Sequence, residues 1–264
     1  DCQKIVKELF IDKDIEKATS LTAVNSINWA RIMAQIVYYF WAFIQLDQKN
    51  LSFIVPSGNF GNIYSARVAK HMGLPINKLY LVTNQNDMLH KIISIGKMVI
   101  QNVQETHSPS MDIQISSNFE RLLFDVVGGD DKRVSLLMND LSSKGFFQLS
   151  KEELTIIKKD FFAEKIDDKD TLSIIKEIDN KSNFILDPHT ATAVGAAKKT
   201  SNLSHTVVLG TAHPYKFLET VKMATGKEVQ SPVQLSKIVD KEEKYDILEK
   251  DISKIKNYIL EKIV

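Results

Sequence analysis

Apolar and polar positions change rhythm sharply between residues 51 and 84. The run LSFIV (51–55) is β-branched and aromatic and stops at Pro56, which predicts a buried strand. After SGNFGN the pattern turns amphipathic from Ile63 to Met72, and Gly73 and Pro75 mark the end of a predicted helix. LYLVTN (79–84) reads as a second strand. Strand, loop, helix and strand within about 30 residues make a βαβ unit and argue for a parallel sheet. Upstream, residues 25–47 read as a helix. Ile27, Ala30, Ile32, Ala34, Ile36, Val37, Phe40 and Trp41 place apolar groups nearly all round it, so the expectation is deep burial. Asn25 or Ser26 would cap it.

Residues 85–185 are richer in charge and in helix-forming residues. Predicted helices cover roughly 118–142, 150–164 and 168–180, with turn signals at GGDD (128–131) and SSKG (142–145). HTVVLG (205–210) is strand-like, and GTAHP (210–214) then leads into a helical run from Tyr215 to Thr225. In the tail, KYDILEKDISKIKNYILEKI has Ile247, Leu248, Ile252, Ile255, Ile259 and Ile263 at helical spacing, which predicts a closing amphipathic helix.

Composition narrows the class. With 264 residues the chain can form one large domain or two small ones. Apolar residues at 44% and charged residues at 25% suit a globular protein, and a net charge of +1 gives no basic field for nucleic acid. The apolar stretch 36–44 is too short for a membrane span, which needs about 20 residues. Cys2 is the sole cysteine, so no internal disulfide or thiolate metal site can form, which fits a reducing compartment. His71, His90, His107 and His205 show no ligand spacing, and no metal site is expected.

The loop after the first strand carries the candidate chemistry. Ligands of open α/β sheets sit beyond the carboxyl ends of the strands, and a helix start there offers free N–H groups to an anion. In SGNFGN, Gly58 and Gly61 permit turns that other residues resist, and Asn59 and Asn62 tolerate left-handed backbone and carry amides. The loop has no lysine, so it is not a P-loop, and it lacks the dinucleotide fingerprint. A single phosphate cradled by backbone and small polar groups fits better than a plain strand-to-helix turn. Thr211 and His213 of GTAHP would stand at another strand end beside the same crevice. Asn84, Asn86 and Asp87 follow the second strand and would border it too.

PSGNFGN, preceded by NSINWARIMAQIVYYF and followed by SSNFERLLFD, DPHTATA and LGTAHPYKF, resembles the threonine synthases, with the motifs in that family's order. The resemblance covers residues 1 to about 225. It implies a fold type II pyridoxal-phosphate architecture, like the β chain of tryptophan synthase: α/β, with an open, mostly parallel sheet and flanking helices. Here that architecture would be incomplete and interrupted by a helical insertion. Residues 20–98 and 184–232 would form the cofactor core, 99–183 the insertion and 233–264 a terminal helix. The resemblance further implies that Gly58, Asn59, Phe60, Gly61 and Asn62 wrap the phosphate of pyridoxal 5'-phosphate. Thr211 would meet its pyridine nitrogen as a neutral hydroxyl, tuning the cofactor's electron demand. Asn25, Ser26, Asn28 and Arg31 match the NSxNxxR pattern and, with His213, are candidate substrate contacts. For Arg31 a bidentate contact to a substrate anion and a structural ion pair stand level. For His189 and His213 a crevice contact competes with a structural role.

One departure stands out. The lysine that forms the Schiff base in this family belongs to a segment upstream of the part matched, and no lysine here has its context; Lys70 reads as solvated. The chain thus resembles the carboxyl-terminal ~60% of such an enzyme, with no catalytic residue of its own assigned, and is expected to be inactive alone. The activity implied for the whole is conversion of O-phospho-L-homoserine and water to L-threonine and phosphate. Its implied partners are that substrate, the amino-terminal portion of the same enzyme and, as an assembly the resemblance allows, a homodimer. No nucleic acid or membrane is expected, and the cytoplasm is the expected location. Two readings compete: a related phospho-lyase that releases a keto acid and ammonia, and a non-catalytic fragment serving as a binding or scaffold protein.

Overall fold

The computed structural model describes residues 2–22, 25, 27–200, 204–236 and 241–263. Two compact units are present, one from Asp1–Asn28 with Pro232–Val264 and one from Trp29–Ser231. The first unit begins with α1 (Cys2–Phe10) and α2 (Lys13–Ala18), the latter capped by the Asp12 side chain.

The second unit opens with α3 (Trp29–Leu46) and β1 (Leu51–Pro56), continuing through α4 (Gly61–His71), β2 (Ile76–Thr83) and α5 (Met88–Ile95). A short strand β3 (Lys97–Val99) precedes α6 (Phe119–Val126), α7 (Asp131–Lys144) and β4 (Phe146–Gln148). Then come α8 (Lys151–Asp160), β5 (Phe161–Lys165), α9 (Asp168–Ser182), α10 (Pro188–Lys199), β6 (Thr206–Val208) and α11 (Leu218–Thr225). The starts of α7, α8, α9 and α10 each carry the side-chain cap that helix N–H groups need: Asp130, Ser150 with Glu153 in a capping box, Asp167 and Asp187. The first unit is completed by α12 (Val233–Ser236) and α13 (Ile252–Ile263). Within it, Lys256 of α13 bridges Asp12 and Asp14.

The main sheet has the order β5-β2-β1-β6, and every pairing is parallel. All six residues of β1 are buried, as a central strand covered on both faces requires. Phe53 and Val55 join Ile32, Ile36 and Tyr39 of α3 and the apolar side of α4 on one face. Ile54 and Val82 meet α9, α10 and Ala224 of α11 on the other. The small residues of α10 bring α9 close: a methyl on Gly195 would stand 2.5 Å from Ile174 Cδ1. From β1 the chain moves outward through β2 to β5, then returns to place β6 on β1's opposite side. The order therefore reverses between β1 and β6, and such a switch point opens a crevice at the strands' carboxyl ends. The α/β class and parallel sheet expected from the sequence are present.

Four expectations need correction. The α3 helix is not deeply buried: among its large apolar residues Met33, Val37, Tyr38, Trp41 and Ile44 are 56–65% exposed, and only Ile32, Ile36 and Tyr39 are buried. An apolar surround does not reveal which side faces the core. The helix expected over 150–164 ends at Asp160, because Phe161 and Phe162 alternate across an edge strand; Phe161 is buried, and Phe162 stacks on Tyr80. The predicted 118–142 helix is two helices divided by the glycine turn at 128–129. In the tail, only Ile252–Ile263 is helical, and Ile247 is 86% exposed.

Among the described residues no helix is long and apolar enough to cross a membrane.

Candidate functional site

The SGNFGN loop leaves the carboxyl end of β1 and starts α4. Its one left-handed residue is Phe60 (φ 62°, ψ 5°), and neither glycine nor asparagine adopts that conformation. That corrects the sequence reading, in which the glycines supplied the turn. A non-glycine residue there is strained, and burial supplies the compensation: the Phe60 ring is fully buried, 5.3 Å from Phe119 and 5.7 Å from Phe161. So Phe60 offers the crevice its backbone, while its side chain belongs to the core.

Gly58 is needed for a different reason. A Cβ there would lie 2.8 Å from the Ser110 carbonyl oxygen and 3.0 Å from Met111 Cα, so two backbones meet at this point. No side chain caps α4. The first N–H groups of the helix lack intrahelical acceptors, and the helix dipole adds partial positive charge.

Surrounding groups hold the loop rigid. Tyr39 donates its hydroxyl to the Asn62 carbonyl at 2.7 Å, which Ser65 Oγ also reaches at 2.9 Å. Burial pushes the Tyr39 hydroxyl far above its ordinary value, so it stays a donor. The Asn59 carbonyl accepts from Asn118 N (3.3 Å) and Nδ2 (3.0 Å), and Asn59 Oδ1 accepts from Ser117 Oγ (3.3 Å). Asn62 Oδ1 and Ser116 Oγ are buried without a hydrogen-bond partner. Each buried unpartnered polar atom calls for an explanation, and a bound polar group is one.

Asn84 and Asn86 sit beyond β2 and are 1% and 3% exposed. Asn84 Nδ2 donates to Asp112 Oδ1 (2.8 Å) and Thr106 Oγ1 (2.8 Å), and Asn86 Nδ2 donates to Asp112 Oδ1 (3.0 Å) and the Gln104 carbonyl (2.8 Å). They anchor the irregular segment 101–118, the one that lies against Gly58. Asp87 instead pairs with Lys91 and Lys165. Lys70 is not solvated as expected: it pairs with Asp160 at 2.7 Å. Asp112, Ser116, Ser117 and Asn118 had no sequence signal beyond the SSNF motif, because contacts made by a coil have no periodicity.

At the end of β6, adjacent to β1, Thr211 donates its backbone N–H to Thr190 Oγ1 at 3.3 Å. His213 is exposed, and its Nδ1 accepts from Tyr215 N, capping a 3₁₀ turn at Pro214–Phe217. His189, 3% exposed, is held between Asp187 and the Ser110 N–H. Of the NSxNxxR residues, Asn25 lies in the first unit, where its Oδ1 accepts from Ile27 N. Asn28 belongs to the same unit, and its N–H donates to the Asn25 carbonyl. Arg31 is exposed on α3 of the second unit, and Ser26 falls outside the described residues. The structure thus brings together Gly58–Asn62 and Thr211 within one unit, on neighbouring strand ends.

Residues 190–259 match the family model described as threonine synthase, C-terminal. A threonine synthase from Pseudomonas aeruginosa is 42% identical over 98% of this chain and 56% of its own length. The crystal structure of a PLP-bound threonine synthase from Brucella melitensis superposes with a TM-score of 0.90 at 44% identity, over 98% of this chain and 57% of that one. Yeast threonine synthase superposes at 0.85 with 39% identity, over 99% and 57%. The chain therefore spans little more than half the length of the relatives it matches. Motif order, family model and fold agree: this chain matches the carboxyl-terminal part of the threonine-synthase family.

Proposed function

We propose that the crevice between β1 and β6 holds pyridoxal 5'-phosphate, and that the whole protein is a threonine synthase converting O-phospho-L-homoserine and water to L-threonine and phosphate. The observation that carries this reading is the uncapped start of α4, where the strained Phe60 backbone and the close approach at Gly58 shape a cradle for an anion. The unpartnered Ser116 hydroxyl can donate to the same group. A PLP-bound relative of the same fold supports the choice of ligand.

In this reading the N–H groups of Gly61 and Asn62, at the start of α4, bind the phosphate oxygens, and Asn59 keeps the loop's shape through Ser117 and Asn118. When bound, the cofactor supplies an electron sink for negative charge developing on the substrate. The Thr211 hydroxyl would serve as partner of the pyridine nitrogen. Being neutral, it shares one hydrogen bond there and does not compel full protonation as a carboxylate would. Asn25, Ser26, Asn28, Arg31 and His213 remain the proposed substrate contacts, with Arg31 suited to an anionic group. In this reading the lysine that carries the cofactor lies outside these 264 residues; Lys70, on the helix that follows the loop, is engaged by Asp160. The chain alone is then inactive. The lone Cys2 supports a cytoplasmic location.

The test is product analysis of the full-length protein supplied with O-phospho-L-homoserine. Threonine and phosphate in equal amounts support the proposal. A keto acid with ammonia would replace it with a phospho-lyase, and no turnover would leave a binding role.

A further inference from the structure

Asp187 lies at the start of α10 with 2% exposure, and its two neighbours His189 and Thr190 are 3% and 8% exposed. Its Oδ1 accepts from the backbone N–H groups of His189 (2.9 Å) and Thr190 (3.2 Å) as a helix cap. The capping role explains those two bonds, but the carboxylate also takes two side-chain donors, His189 Nδ1 at 3.2 Å and the Thr190 hydroxyl on Oδ2.

A carboxylate only accepts. The His189 proton must therefore sit on Nδ1 and the Thr190 hydroxyl hydrogen must point at Asp187. Each residue is then left with an acceptor on its far side. His189 Nε2 takes the Ser110 N–H at 3.1 Å, and Thr190 Oγ1 takes the Thr211 N–H at 3.3 Å. Ser110 belongs to the turn that lies against Gly58, where the two backbones leave no room for a Cβ. Thr211 stands at the end of β6. One buried charge thus orients the acceptors of two N–H groups, one in the turn against Gly58 and one past the end of β6. The ring of Phe217, 4.7 Å from that of His189, closes one side of this arrangement.

The geometry points to Asp187 as a positioning residue that, through His189 and Thr190, sets the spacing between the phosphate cradle at Gly58 and the pyridine-nitrogen partner Thr211. This rests on the cofactor reading above. It assigns Asp187, His189 and Thr190 a joint task that none of their local roles requires.

The experiment uses the full-length protein, freed of bound cofactor, and pyridoxine 5'-phosphate, whose hydroxymethyl group does not react with lysines. Paired variants separate the hydrogen bond from the packing. His189→Leu removes the acceptor and His189→Gln restores one near Nε2; Thr190→Val removes the hydroxyl and Thr190→Ser restores it. Three quantities are read: affinity for the probe, amide exchange at Ser110 and Thr211, and the ¹⁵N shifts of the His189 ring. The expected result is about tenfold weaker binding for the Leu and Val variants, with faster exchange at Ser110 and Thr211 respectively. The Gln and Ser variants should return to within about threefold. Asp187→Asn keeps an oxygen for the cap and for His189 Nδ1 but turns an NH2 donor toward Thr190, so it should reverse the Thr190 hydroxyl and speed exchange at Thr211 while leaving the His189 proton on Nδ1. Restoring variants that behave like the removing ones, or binding indifferent to all four, would overturn the positioning role and leave the cofactor reading intact. Failure of the unaltered full-length protein to bind the probe would overturn the cofactor reading and, with it, this one.

Discussion

Gly58 and Ser110 approach so closely that a single methyl group on Gly58 would press within 2.8 Å of the Ser110 carbonyl oxygen. Both obstacles nearest to that methyl, the Ser110 oxygen and Met111 Cα, are backbone, and neither can rotate aside. Gly58→Ala should therefore displace the 109–113 segment. The expected cost is about 1–3 kcal/mol of stability, from overpacking, with loss of phosphate-ligand affinity. Chemical denaturation and a binding titration on the same variant would check both.

Phe60 joins the strain of the loop to the core. Its left-handed backbone holds only because its ring is clamped by Phe119 and Phe161. Phe60→Ala should cost about 3–5 kcal/mol, the usual penalty for emptying a buried aromatic site. Phe60→Leu should cost less while keeping the loop's conformation. Denaturant midpoints would rank the two, and an Ala variant as stable as the Leu variant would contradict the clamp.

Arg67 of α4 is 6% exposed and spans Asp125 at 3.3 Å and Asp160 at 3.0 Å, linking α4 to the ends of α6 and α8. Removing one partner of a buried ionic cluster leaves the others uncompensated. Arg67→Met should destabilise by about 2–4 kcal/mol, less than a fully buried pair would cost because Lys70 still serves Asp160. The same variant should lower the Tyr64 phenol, which burial foremost and Asp125 next push up to about 12, only if the fold loosens. Urea titration and ultraviolet pH titration would report these effects.

How much of this was legible in the sequence differs by element. The strand and loop of β1, the helix α4 and strand β2 were readable because alternation, a proline stop and glycine punctuation agree there. The strand β5 was not, since Phe161–Lys165 follows a helical run without a break and only the sheet reveals its alternation. The α3 helix was placed within a few residues, yet its burial was misjudged: fifteen of its eighteen residues (WARIMAQIVYYFWAFIQL) are hydrophobic, and only contact with β1 selects Ile32, Ile36 and Tyr39 as the inner stripe. The loop was placed correctly between β1 and α4 but with the wrong residues in the left-handed position. Composition marks Gly and Asn as the permissive residues, and nothing local signals that two distant phenylalanines will hold Phe60 there instead.

The two sides of α3 make a direct comparison. Ile32 is fully buried, so Ile32→Ala should cost about 2–5 kcal/mol. Val37 is 61% exposed, and Val37→Lys should change stability by no more than about 0.5 kcal/mol. The charge should also reduce self-association of the chain, because it interrupts an apolar face that includes Met33, Trp41 and Ile44. Thermal melts and light scattering would check these outcomes; a large loss from Val37→Lys would mean that this face is covered.

Acid should weaken the second unit through Asp187. Burial alone would raise its pKa, but hydrogen bonds from His189 and Thr190 outweigh burial and hold it below its ordinary value of 3.8. A carboxylate with a depressed folded pKa adds stability that is fully present above its unfolded value and is lost as pH falls through the folded one. Glu153, held down mainly by Arg133, acts in the same sense from its ordinary 4.5. Stability should therefore hold steady from neutral pH to about 5 and then fall progressively below pH 4. In Asp187→Asn the neutral-pH stability should drop, since the amide cannot accept all four bonds, and the acid loss should shrink because one titrating group is gone. Denaturation midpoints for both proteins between pH 7 and pH 3 would decide it: curves that stay parallel across that range would show that Asp187 is not a source of the acid sensitivity.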